Sequence, residues 1–159
     1  ETYNLFAAAE LEEVYEEDKL KNALHYEAKT FASTIFENTG NGQFRQIALP
    51  NEAQISTIND ILLEDIDNDG LQDIIIAGNL YVAEIETPRS DAGVGLLLKN
   101  RGNMQFEAVK ADKSGIMLPY DVKQLKWLKL GTKKVMAVGV NNGPLQLLKL
   151  NTEPASNGR

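Results

Sequence analysis

The stretch Asp65-Ile66-Asp67-Asn68-Asp69-Gly70-Leu71-Gln72-Asp73-Ile74-Ile75-Ile76 decides how this chain is read. Carboxylates stand at the first, third, fifth and ninth places of one short loop, with glycine at the sixth. Alternate side chains of a tightly wound loop point to one side, so Asp65, Asp67 and Asp69 can converge on one ion. Gly70 permits the sharp turn, because a Cβ there would resist positive φ. The carbonyl of Leu71 then faces the ion, and Asp73 closes the far side. Oxygen ligands in this number suit Ca²⁺, a hard cation that takes about six to eight of them at roughly 2.3–2.6 Å. The plainer reading is an Asp/Asn/Gly-rich hairpin turn without an ion. Against it stands repulsion: unneutralised, the carboxylates would crowd one another in a partly desolvated turn.

The loop departs from an EF-hand in its flanks. An EF-hand carries a bidentate Glu at its twelfth place and lies between helices. Here the twelfth place is Ile76, and the run Ile74-Ile75-Ile76 is β-branched and apolar, which favours strand. Asn59–Leu63 and Ile74–Ala77 therefore read as two strands joined by the loop.

Composition narrows the function classes. The chain has 159 residues, the size of one ordinary domain or part of a larger one, and 43% of them are hydrophobic, enough for a core. A net charge of −7 argues against a nucleic-acid surface, which needs clustered Lys and Arg. No apolar stretch approaches the roughly 20 residues of a membrane-spanning helix. Cysteine is absent, so disulfides, thiol catalysis and thiolate metal sites are excluded, and the single histidine, His25, rules out a multi-histidine site. Beginning at Glu1 with no charged-then-apolar leader, the chain reads as a processed or excised segment. A weak calcium loop suits a compartment with millimolar calcium, so the expected location is extracellular, periplasmic or cell-surface.

Outward from the loop, residues 1–29 form a lead-in segment in which 5–24 reads as helix. Leu5, Phe6, Leu11, Val14, Tyr15, Leu20 and Leu24 supply an apolar face and Glu12, Glu13, Glu16 and Glu17 a wet one. A break near Glu17-Asp18, with Asp18 as a cap, divides the helix. After Lys29 the pattern turns strand-like. Phe31–Phe36, the turn Asn38-Thr39-Gly40-Asn41-Gly42 and Phe44–Leu49 make a hairpin that Pro50 ends. The hairpin recurs: Asn38, Gly40, Asn41, Gln43 and Phe44 return 62 residues on as Asn100, Gly102, Asn103, Gln105 and Phe106. The run Ile74–Gly78 matches Val135–Gly139 at an offset of 61. In that later unit the strand Val122–Leu130 turns at Leu130-Gly131-Thr132 without a carboxylate, and Leu145–Asn151 resembles the strand Leu96–Asn100. Each unit reads as four antiparallel strands of about 60 residues. Such units in series mean propeller blades. The expected fold class is mainly β: a half blade at 30–50, a full blade at 58–110, a partial blade at 121–151 and a polar tail at 152–159.

These residues resemble the FG-GAP/VCBS repeat family, the blades of integrin-alpha-type β-propellers. Asp65–Ile74 is similar to the family's Asp-x-Asp-x-Asp-Gly-x-x-Asp-Leu/Ile loop, and Asn38–Phe44 to its Asn-x-Gly-Asn-Gly-x-Phe turn. The chain as a whole resembles the C-terminal end of exported Bacteroidetes-type VCBS-repeat proteins. The resemblance implies Ca²⁺ held by Asp65, Asp67, Asp69 and Asp73 through side chains and by Leu71 through its backbone. It implies a recognition or scaffolding role toward a protein or glycan rather than an enzyme. Family propellers have about seven blades, so the remaining blades of a parent propeller or a second copy are implied as partners. Met104 replaces the family's second turn glycine, which predicts a wider or strained turn.

Residues 78–92 join the second and third strands of the full blade and carry Glu84, Glu86, Arg89 and Asp91 beside Tyr81. Glu84 and Glu86 lie two apart and, on a strand, share a face. The plainer reading is a surface salt-bridge group with Arg89. The functional one is a contact for a protein or glycan ligand, since inter-strand loops carry recognition. An alternative reading makes the chain a carbohydrate-active enzyme, or its accessory domain, with these glutamates as acid and base. Trp127 reads as core or blade-interface packing.

Overall fold

The computed structural model describes residues 2–149 of the chain; the tail 152–159 and the end of the last expected strand, at Leu150 and Asn151, lie outside them. Among the described residues the fold is mainly β, with antiparallel sheets of two, four and three strands and a few short helices. It divides into two units near Phe31–Ala32.

In the first unit the expected helix over 5–24 is three short pieces: α1 (Tyr3–Ala8), α2 (Leu11–Val14) and α3 (Glu17–Leu20). Ala9 and Tyr15 take extended backbone angles and end the first two. One continuous helix would set Glu12 over Glu16 and Glu13 over Glu17, and like charges four apart destabilise a helix. None of the helical residues is buried, so no packed apolar face offsets that cost. Asp18 lies inside α3 rather than capping it, and its carboxylate accepts a hydrogen bond from the Lys21 ammonium at 2.9 Å.

The second unit opens with the hairpin β1 (Thr34–Gly40) and β2 (Gln43–Ala48). A 3-10 turn at Asn51–Gln54 leads to the four-stranded sheet β3 (Ile58–Glu64), β4 (Asp73–Gly78), β5 (Leu96–Asn100) and β6 (Phe106–Val109), paired in chain order. After the short helix α4 (Ala111–Ser114) come β7 (Val122–Leu130), β8 (Lys133–Val140) and β9 (Gln146–Leu148). The two Asn-Gly turns agree down to their hydrogen bonds. Asn38 Oδ1 accepts from the Gly40 N–H and Asn100 Oδ1 from the Gly102 N–H, both at 2.9 Å. Met104 sits at φ +59°, in the left-handed region that its counterpart Gly42 occupies at φ +73°, so the expected strain is present.

Strand β4 is buried along its whole length, which explains why Ile74-Ile75-Ile76-Ala77 does not alternate with polar residues. Side chains of a strand point to opposite faces in turn, and here both faces are covered. Ile75 and Ala77 join Leu97, Val122, Leu125, Met136 and Val138 in a core between the four- and three-stranded sheets. Ile74 and Ile76 join Ala53 and Leu98 in a second core, against which Ile35 and Leu49 of the hairpin region pack. Each such isoleucine contributes about 1.5–3 kcal/mol by leaving water.

The two cores also correct the offset of 61. Ile74 and Ile76 face back toward the hairpin, and Met136 and Val138, 62 residues later, face back toward the four-stranded sheet. Ile35 and Leu97, also 62 apart, both face forward. A one-residue slip reverses every side chain of a strand, so β4 and β8 are related by 62, the offset of the Asn-Gly turns.

At the far end of β4 from the Asp-rich loop the backbone is crowded. A Cβ on Gly78 would lie 1.7 Å from the Thr57 carbonyl oxygen, so only glycine fits. Beside it, buried Asn79 bridges Ser56, Gly93 and Tyr120 with its side-chain amide. The sheets are further joined where Asn59 donates to the Val122 carbonyl at 2.7 Å and Leu125 donates to Asp60 at 2.6 Å.

Candidate metal site

Strands β3 and β4 end at the facing pair Glu64 and Asp73, and residues 65–72 close the hairpin between them. The loop is wound around its own carboxylates. Asp65 accepts the N–H groups of Asp69, at 3.0 Å, and of Gly70, at 2.9 Å, one on each oxygen. Asp69 accepts the N–H of Leu71 at 2.9 Å. Asn68 at φ +58° and Gly70 at φ +88° supply the left-handed backbone that this winding needs.

Asp73 anchors the loop to the sheet. It is buried, and its two oxygens accept the N–H groups of Ile66, at 3.1 Å, and Asn100, at 2.9 Å. The Asn100 amide also donates to the Gln72 carbonyl at 3.0 Å, so the end of β5 braces the loop from a second side. An oxygen that accepts one hydrogen bond keeps a second lone pair. These bonds therefore orient the carboxylates without exhausting them.

Carboxylate oxygens of Asp65, Asp67 and Asp73 lie within 4.8 Å of one another, close enough for one metal ion to touch all three. Asp65 is half-buried, Asp67 exposed and Asp73 buried, so the site opens to solvent on the Asp67 side. Asp69, expected as a fourth side-chain ligand, falls outside this group. Leu71 leaves the loop with its N–H held by Asp69. The donor set is all oxygen, which fits hard cations and not soft ones.

One residue of the site carries no local sequence signal. Lys99, on β5, forms an ion pair with Asp67 and places its ammonium 3.9 Å from Asp69. Its position over the loop follows from the pairing of β4 with β5, a contact between segments far apart in sequence.

The second group of expected site residues is not assembled as the sequence implied. Glu84 and Glu86 are exposed and lie on a turn, closed by the Thr87 N–H donating to the Glu84 carbonyl at 3.0 Å, so they share no strand face. Arg89 pairs with Asp91 at 2.7 Å, rather than with either glutamate, and stacks 4.8 Å from the Tyr81 ring centre. Tyr81 donates to the Pro119 carbonyl at 2.9 Å, which ties this excursion down. The Trp127 ring packs against the core between the sheets, and Lys134 stands over it at 4.8 Å.

One perturbed acid lies elsewhere. Burial pushes the Asp121 carboxyl up, but the Lys123 ammonium and the Asn141 amide, which both bond to it, hold it below the usual carboxylate range. Compared with known protein families, with curated proteins and with solved structures, the chain matches none.

Proposed function

We propose that residues 32–149 are a calcium-stabilised module of blade-type repeats that serves recognition or scaffolding outside the cytosol. The observation that carries the metal is the convergence of Asp65, Asp67 and Asp73 on one point of a loop whose backbone is already wound around them. Ca²⁺ fits such a loop better than Mg²⁺, which demands a tighter octahedron and keeps much of its water. Asp69 and the Leu71 carbonyl complete the coordination once the ion draws the loop in. The ion's role is structural: it neutralises the carboxylates and fixes the hairpin that ends β3 and begins β4.

The blade reading draws support from the offset of 62 that the Asn-Gly turns share with β4 and β8, and from the sense of packing. The hairpin and the four-stranded sheet present equivalent residues, Ile35 and Leu97, to the layer after them, and the four- and three-stranded sheets present Ile74 and Met136 to the layer before. Repeats related by one rotation do this. Recognition by a protein or glycan falls to the inter-strand excursions, where Glu84 and Glu86 stand exposed.

Calcium bound only by the folded state adds about 2.7 kcal/mol at a hundredfold excess over Kd. Thermal melting should therefore rise with millimolar calcium and fall with chelator. Asp67→Ala should melt at one temperature under both conditions. Equal melting of the unsubstituted protein with and without calcium would remove the metal from this reading.

A further inference from the structure

We propose that Lys99 is the loop's built-in counter-ion, and that calcium binds by displacing its ammonium from Asp67; this rests on the metal reading above. Three of the loop's carboxylates have backbone partners. Asp65 and Asp73 each hold two N–H groups and Asp69 holds one. Among the described residues Asp67 has only Lys99. The lysine side chain is 25% exposed, so it lies along the protein surface with its charged end over the loop rather than extended into water. It also reaches toward Asp69, at 3.9 Å, and so sits where the two most exposed acids of the loop can share one positive charge.

The same position conflicts with a bound metal. Asp67 is one of the three residues that can share an ion, and an ammonium in contact with it would face a divalent cation across one carboxylate. Like charges at that separation repel, most strongly where the surroundings are partly desolvated. Lys99 contacts one Asp67 oxygen and leaves the other free, so the ion enters there and its charge drives the ammonium off. Glu107, its partner across the β5–β6 pair, offers an acceptor on the way out, although Arg101 already holds that glutamate. Two consequences follow. The ion-free loop is steadier than its carboxylate count alone would allow. The affinity for calcium is lower than the same ligands would give without the lysine.

Calorimetric titration with Ca²⁺ and melting in chelator, on the whole chain, test both. Lys99→Met should bind calcium about fivefold to tenfold more tightly and melt lower than the unsubstituted protein in chelator. Lys99→Arg keeps the charge and should keep the weaker affinity. Lys126→Met removes a charge from an exposed position on β7 and should stay within about twofold of the starting affinity, which separates a local effect from net charge. Lys99→Gln serves as a second neutral variant should Lys99→Met fold poorly. Unchanged or weaker calcium binding by the neutral variants, beside normal binding by the unsubstituted protein, overturns the exchange and leaves the metal site standing. No binding by any of them overturns both.

Discussion

The β3–β4 and β7–β8 hairpins close the first strand pairs of successive sheets, and they close them by opposite means. Between β7 and β8 the pairing runs to Leu130 and Lys133, leaving only Gly131 and Thr132 to turn. Between β3 and β4 it stops at Glu64 and Asp73, and residues 65–72 wind around carboxylates. A loop roughly four times longer costs about 1.2 kcal/mol more in closure entropy. The longer loop must recover that cost from fixed interactions, and it does so through the backbone N–H groups that Asp65 and Asp73 hold. The short turn needs no such help. At its mouth Lys134 pairs with Glu64 of the neighbouring hairpin, so there an ammonium stands where the other sheet gathers acids.

The largest expected effect breaks the contrast at Asp73. Asp73→Ala leaves the N–H groups of Ile66 and Asn100 without their acceptor in a buried place, and each costs about 1–3 kcal/mol. Unfolding in urea should register a loss of about 3 kcal/mol, even in chelator. A loss that appears only with calcium present would mean that Asp73 is a ligand and not an anchor.

Asp121 sharpens the contrast from the other sheet, because its buried carboxylate is held chiefly by the Lys123 and Asn141 side chains, with the Tyr81 backbone as a lesser partner. Its folded pKa lies below the unfolded value of about 3.9. Its contribution is therefore complete above that value and is lost as pH falls through it to the folded pKa. Asp121→Asn should cost about 2 kcal/mol at pH 7, the scale of charge-assisted hydrogen bonds, and markedly less at pH 3. A cost that does not change with pH would show that shape, not charge, matters there.

The smallest effect concerns the Asn-Gly turns, which share a design but differ where Gly42 in one is Met104 in the other. Met104→Gly should relieve left-handed strain and raise stability by about 0.5 kcal/mol, net of glycine's greater freedom when unfolded. It should do so equally with calcium and with chelator. A calcium-dependent gain would mean that this turn and the Asp-rich loop are coupled through Asn100.

What was legible in the sequence was local. The strand ends around residues 65–73, the two Asn-Gly hairpins and the turn at Gly131 all follow from patterns a few residues long. So does the strain at Met104. The failures share a cause: they needed partners distant in sequence. Helical spacing over 5–24 indicated one helix, but spacing cannot show whether the apolar face is buried, and none of the three pieces buries a residue. Alternation put Glu84 and Glu86 on a strand, where Pro88 and the turn at Thr87 give neither a partner strand. Matching apolar runs gave 61 for the second repeat, because Ile, Val and Met look alike in a list and differ only in the side to which they point. Lys99 was invisible for the same reason. A lysine becomes part of an acidic loop only once β5 is laid beside β4.

The sense of layering has a consequence of its own. Met136 and Val138 of the last sheet lie against the forward side of the middle one, just as Ile74 and Ile76 of the middle sheet lie toward the hairpin. Contacts of this kind are not self-complementary: what one layer gives, it does not receive back from the same neighbour. A two-fold pair would use itself up, whereas this one-way contact leaves the same kind of face at each end of the three layers. Were further layers added in the same sense, the turn per step, set by how Ile75 and Leu97 seat against Met136 and Val138, would decide whether the row curves or runs straight.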